Sequence, residues 1–457
     1  MSMFSKVIRG SFYSGLYSLG ASVISLALGL GVTILTARLL GPEGKGSYDL
    51  VLASMSLLAI LLGWSLPSGI TYVISSQPTA ISALMKILLV LASVQGVLGI
   101  GLLSLLTQIN YSQWLLPTKL DNTVLIPIIG LSLVFTALNS YWRAILVGYQ
   151  EIIQANKFDL SSKIIYPLLL LISAIILYKI GYNISPILCL SLYVFALVLP
   201  ILIFFRSLYP YLSRTTSSSH IREIISYSTP CYFGNFLQFL NYRLDIFFVA
   251  NYSHNIADVG FYNLAASLAQ LIWLIPNNAA TIIFPKVAGA KGINDENSKI
   301  ITALTARLVF SISLLIAFLM ALFFPLLVPV IFGNSFQGTV PPLLWLLPGV
   351  ISLSGTKILA AYINGIGKPE INLFLAFISI IVTIILDILL IPSLGIVGAA
   401  IASSSSYIAT TIGTILFFSH CLGFSWKNLI ILDIEDVRVL LLKFSAMKQQ
   451  VKEKTVK

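Results

Sequence analysis

Twelve apolar stretches constrain this chain more than any other feature of its sequence. They lie near 14–37, 48–74, 84–107, 124–147, 164–182, 187–205, 231–250, 259–284, 303–332, 340–363, 371–391 and 396–418. Each is long enough to cross a bilayer, which takes about 20 mainly apolar residues. Composition agrees: 58% of residues are hydrophobic and 9% charged, whereas a soluble domain carries roughly a quarter charged residues. The expected fold is an all-α polytopic membrane protein with twelve transmembrane helices.

The first stretch follows Lys6 and Arg9, but its apolar run is too long for a signal peptide and lacks a small-residue cleavage site, so it reads as a retained helix. A net charge of +11 takes its meaning from where the basic residues lie. Lys86, Lys157, Lys163, Arg206, Arg214, Arg222, Lys286, Lys299 and the lysines after 440 share one side, while Arg38, Lys45, Lys119 and Lys179 fall on the other. This asymmetry is the positive-inside rule. It puts both termini in the cytoplasm of a multi-pass cell-membrane protein and argues against a nucleic-acid partner. Cys189, Cys231 and Cys421 are too scattered for a disulfide framework or a metal pair, and His220, His254 and His420 lack metal-ligand spacing. No cofactor, metal site or catalytic constellation is expected, so the chain does not read as an enzyme.

The long polar insertion after Arg206 divides the chain into an N-terminal six-helix lobe at 1–205, a cytoplasmic linker at 206–230 with a short surface helix, a C-terminal six-helix lobe at 231–418 and a cytoplasmic tail at 419–457. Weak echoes join the halves. Gly46-Ser47-Tyr48-Asp49-Leu50 returns as Gly260-Phe261-Tyr262-Asn263-Leu264, and Trp64-Ser65-Leu66-Pro67 returns as Trp273-Leu274-Ile275-Pro276. An even number of spans per half makes the repeats parallel, which predicts two pseudo-symmetric six-helix bundles facing a central cavity. Gly29 and Gly31 in span one, and Pro67 and Pro276 at matched places in spans two and eight, are the expected hinges. Carbonyls freed there must be satisfied by neighbours or cavity water.

Ionisable groups at membrane depth are costly and therefore informative. Span seven carries most of the polar residues. Asn235, Gln238, Asn241 and Asp245 fall within about a third of the helix circumference, a stripe suited to a wet cavity, while Arg243 projects from nearly the opposite side to Asp245. Arg243, near mid-membrane, is expected to pair with an acid on another helix, to bind carbonyls, or to bind an anionic head group, for which its planar fork is well suited. Arg38 closes span one against the charge trend, and joins these residues as a cavity candidate. Asp245 and Asp387 are the candidates for ion coupling, although Asp387, near the outer end of span eleven, suits interfacial solvation or pairing better. Lys357 and Arg143, near inner span ends, are expected to snorkel.

The stretch Thr36-Ala37-Arg38-Leu39-Leu40-Gly41-Pro42-Glu43-Gly44-Lys45-Gly46-Ser47-Tyr48 resembles the loop after the first helix of Wzx-type polysaccharide (O-antigen and capsule) flippases. Ile363-Asn364-Gly365-Ile366-Gly367-Lys368-Pro369-Glu370 and Leu390 to Ala402 are similar to spans ten to twelve of the same family. That family sits in the multidrug/oligosaccharidyl-lipid/polysaccharide exporter superfamily with the lipid II flippases, which carry extra spans not seen here, and the multidrug and toxin extrusion (MATE) antiporters. The resemblance implies a MATE-like architecture and transfer of a polyprenyl-diphosphate-linked oligosaccharide from the inner to the outer leaflet by alternating access. It also implies basic cavity residues that engage the diphosphate, with Arg38 and Arg243 as matching types. The implied partners are the lipid-linked oligosaccharide, membrane lipids, a polysaccharide polymerase and glycosyltransferases. A MATE-like drug/cation antiporter is the nearest alternative, but it would want cavity carboxylates, and the spans offer few. A membrane glycosyltransferase or polymerase would need a sizeable outer loop, and a channel a ring of repeated charges.

Overall fold

Large apolar side chains point outward along whole helices: Val97, Leu105, Ile175, Leu326, Phe374 and Leu389 are all exposed. This inverts the habit of a soluble core and fits helices bathed in hydrocarbon. The computed structural model describes residues 2–76, 82–212, 220–253, 255–289 and 296–422, and every described element is helical. The tail expected at 419–457 lies almost wholly outside the described residues, as does the stretch 213–219 of the expected linker.

Helices α1 (Ser2–Gly63), α2 (Leu66–Ser76), α3 (Ser82–Gln108), α4 (Asn122–Gly148), α5 (Ile152–Ile180), α6 (Pro186–Leu212) and α7 (His220–Tyr252) are followed by α8 (Ala257–Ala269), α9 (Leu274–Ala288), α10 (Glu296–Phe332), α11 (Val340–Gly365), α12 (Pro369–Leu394) and α13 (Ile396–Leu422). Ten segments among the described residues are long and apolar enough to cross a membrane. One of them, Gly20–Gly63, has 44 residues, about 66 Å of helix against a hydrocarbon core of about 30 Å, so it has length for two crossings. The polar α7 is not among the ten, though its 33 residues are long enough to cross as well. The chain is a multi-pass, all-helical membrane protein.

Two expectations change. The segment between spans one and two is not a loop: α1 continues through it, broken only at Gly41 (φ 63°, ψ −179°) just before Pro42. Glycine tolerates this left-handed backbone, and the proline removes a helical N–H. Residues 220–230, expected as linker and surface helix, form the first turns of α7.

The described residues form two compact units, one drawn from residues 2–264 and 328–338, the other from 265–327 and 339–422. Unit 1 is built on two apolar clusters, one around Ile70, Tyr141 and Ile145, the other around Val51, Leu133 and Leu170. In unit 2, Ala306, Ile358, Tyr362 and Phe418 form the centre.

Within unit 1 the first repeated motif touches its own copy. A Cβ on Gly46 would lie 1.9 Å from the Ile256 carbonyl oxygen, and one on Gly260 would lie 2.9 Å from the Pro42 oxygen and 3.0 Å from the Gly46 nitrogen. Only hydrogen fits in that space, so the start of α8 packs backbone to backbone on α1.

Candidate functional site

Both spans carrying the repeated Trp motif are interrupted at the tryptophan. In unit 1, Trp64 (φ 48°) and Ser65 (φ 47°) separate α1 from α2; in unit 2, a 3-10 turn at Gln270–Trp273 separates α8 from α9. Pro67 and Pro276 follow within the first turn of the next helix, where a missing N–H costs little. Left-handed backbone at a non-glycine residue costs about 1–3 kcal/mol, so the Trp64–Ser65 turn persists because its surroundings hold it. Trp64 stacks on Tyr232 of α7 (centroids 4.7 Å apart, 10° between planes), and its Nε1 donates to Thr229 Oγ1 at 3.1 Å. Asn235 Nδ2 donates to Ser65 Oγ at 3.1 Å, and Tyr72 stacks on Tyr227.

The breaks do not extend to the other expected hinges. The non-helical dihedrals of α1 lie at Gly41, and the helix runs on through Gly29 and Gly31. Their flexibility stays a proposal.

On α7 the polar stripe divides. Asn235 and Gln238 are exposed, while Asn241 and Asp245 are buried. Higher up, α7 is tied to α8 by two polar contacts: Arg243 Nη1 donates to Asn263 Oδ1 at 2.7 Å, and the Tyr262 hydroxyl donates to Asp245 Oδ2. Arg243 and Asp245 take different partners, as about 200° of helical rotation demands. The partner of Arg243 is a neutral amide rather than the acid on another helix that was one expectation. Arg38 is exposed and donates through Nη2 and Nε to the carbonyls of Val330 (2.5 Å) and Ile331 (2.7 Å) in the last turn of α10. A cation suits the negative end of a helix.

Four charged groups sit differently from expectation. Lys45, assigned to the outer side, is buried and ion-paired with Asp49 one turn on, with side chains only 5% and 1% exposed. Its spacing was the legible signal, since i and i+4 share a helix face. Around the pair, the Tyr48 and Tyr166 hydroxyls share a 2.7 Å hydrogen bond, and Tyr166 also donates to the Cys189 carbonyl at 3.3 Å. Lys357, expected to snorkel, instead holds its ammonium 4.2 Å above the Trp273 ring and donates to Asn277 Oδ1 at 3.0 Å. The cation-π contact keeps it inside unit 2. Asp387, expected near the outer end of its span as a solvated or paired group, is fully buried, with Thr383 and Ser379 one and two turns away, also buried on the same side of α12. Arg143, also expected to snorkel, pairs with Asp159 at 2.5 Å.

Asp121 lies outside the spans and caps α4. Hydrogen bonds from the Thr123 hydroxyl (2.7 Å) and amide (2.9 Å) hold its carboxyl below the usual range.

Comparison with known proteins places this geometry in a family. Residues 13–291 match the family model described as polysaccharide biosynthesis protein. An uncharacterised membrane protein of Methanocaldococcus jannaschii is 27% identical over 172 residues, 37% of this chain and 33% of the relative. A protein of Haloferax volcanii, described as a probable low-salt glycan biosynthesis flippase, is 27% identical over 157 residues, 34% of this chain and 33% of the relative. The chain thus spans about a third of the length of these curated relatives. Among solved structures, the lipid II flippase MurJ in an inward closed conformation superposes with a TM-score of 0.73 at 15% identity, over 94% of this chain and 92% of that one. An inward-facing MATE multidrug transporter of the MOP superfamily gives 0.68 at 18% identity, over 87% and 94%. At such identities the likeness is one of fold. With more than half its length under the family model, the chain belongs to the polysaccharide biosynthesis protein family, and it carries a MATE-like fold.

Proposed function

We propose that the protein is a flippase that moves a polyprenyl-diphosphate-linked oligosaccharide from the inner to the outer leaflet of the cell membrane by alternating access, both termini being cytoplasmic. The observation that carries this reading is the Arg243 guanidinium near the middle of the membrane-crossing α7, whose hydrogen-bond partner is the neutral Asn263 amide. Its charge keeps capacity for an anion, and a guanidinium fork matches two phosphate oxygens. Arg38, held by backbone carbonyls, adds a second cation with neutral partners in the same unit. Family membership and the flippase description of the Haloferax volcanii relative supply the cargo class. The division into two six-helix lobes joined by a linker, the hinge roles of Gly29, Gly31, Pro67 and Pro276, and ion coupling through Asp245 or Asp387 belong to the same proposal. So does cooperation with glycosyltransferases and a polymerase.

A diphosphate carries about two negative charges, and an inside-negative potential favours its outward passage by about 2.3 kcal/mol per charge per 100 mV. The test is complementation of a flippase-null strain. Arg243→Ala should abolish surface glycan at unchanged membrane abundance, and Arg243→Lys should restore part of it. Normal glycan from Arg243→Ala would remove this residue, and the anion-binding argument with it.

A further inference from the structure

The two copies of the tryptophan motif are used differently. Trp273 is 4% exposed, donates to the Val350 carbonyl and lies beneath the Lys357 ammonium. Trp64 is 41% exposed. One face of its indole is covered by Tyr232 and its Nε1 is held by Thr229, so a strained turn and three side-chain contacts fix an aromatic surface that remains open.

The surroundings of that surface are polar. Asn235 and Gln238 are both exposed; Asn235 lies one turn along α7 from Tyr232 on its side of the helix, and Gln238, hydrogen-bonded to Tyr242, lies one turn beyond Asn235 and about 120° around from Tyr232. Asn235 also reaches back to Ser65, the residue after Trp64. Carboxamides and hydroxyls gathered on an exposed helix face are costly toward lipid, so this strip faces water.

We infer that Trp64, with Asn235 and Gln238, forms a platform for a pyranose ring of the cargo glycan, a reading that rests on the transport function proposed above. A pyranose has an apolar face of C–H groups and a rim of hydroxyls. The apolar face stacks on an indole whose orientation is already fixed, so little ordering is needed on binding. Carboxamides present both donors and acceptors to the hydroxyl rim. Arg243 lies on the same helix, about 8 Å beyond Gln238 but about 140° around from it, so it stands outside the platform and its removal reports on the diphosphate alone.

The test uses the full-length protein in nanodiscs and two probes, a polyprenyl diphosphate without sugar and the same lipid bearing one N-acetylhexosamine. The wild type should bind the glycosylated probe about tenfold more tightly. Trp64→Leu should bring that ratio near one, Trp64→Phe should keep most of it, and Asn235→Ala should lower it. Arg243→Ala should weaken both probes together. A ratio unchanged in Trp64→Leu and Asn235→Ala overturns the platform, as does equal binding of the two probes by the wild type. Wild type that binds neither probe overturns the transport reading and the platform together, so the two failures are distinct.

Discussion

Replacing Lys45 with methionine should destabilise the protein by about 3–5 kcal/mol, the range for breaking a buried ion pair from one side. Methionine conserves most of the side-chain volume, so the loss is one of charge rather than of packing. Asp49 has no alternative: its side chain is 1% exposed, and its second oxygen, Oδ2, is buried without a hydrogen-bond partner. The variant also gives up a lysine ammonium 5.3 Å from the Tyr48 ring. At about 2 °C per kcal/mol for a unit of this size, the midpoint of thermal unfolding in detergent should fall by roughly 6–10 °C. The double variant Lys45→Met, Asp49→Leu removes both charges and should recover most of that loss, because two well-packed apolar side chains replace a buried pair at little net cost. The reasoning fails if Lys45→Met melts within about 2 °C of wild type, or if the double variant is no more stable than the single one.

Packing of the repeated glycines gives a ranking. Gly46→Ala, whose methyl would lie 1.9 Å from the Ile256 carbonyl oxygen, should cost more than Gly260→Ala, whose nearest contact is 2.9 Å. Overpacking of this kind costs about 1–3 kcal/mol, readable as the order of the two melting points. Asp121 should make the start of α4 acid-sensitive. Its carboxyl titrates lower in the folded protein than in the unfolded chain, so its contribution is present above the ordinary carboxylate pKa of about 3.9. It is lost as pH falls through the depressed folded value. Hydrogen exchange at the Thr123 amide should rise in that window for wild type relative to Asp121→Asn, which caps without titrating.

The spans were legible because length and apolarity are properties of the local sequence, and the interruptions in spans two and eight were announced by Pro67 and Pro276. Gly29 and Gly31 keep helical dihedrals because a glycine without a neighbouring proline keeps its helical hydrogen bonds where no water competes. Gly41 breaks α1 because Pro42 removes the donor beside it. The loop expected before span two is helical because Lys45 and Asp49, polar when read singly, neutralise each other one turn apart. The contacts of Arg243 with Asn263 and of Lys357 with Trp273 join residues far apart in the chain, so local pattern carried no sign of them.

Gly46 and Gly260 compete for a single gap. Volume added at either position uses clearance the other also needs, so the effects of the two substitutions should not add: once one methyl has pushed the helices apart, a second enters room already opened. Each motif therefore limits how far its counterpart can drift, a dependence invisible when either stretch is read by itself.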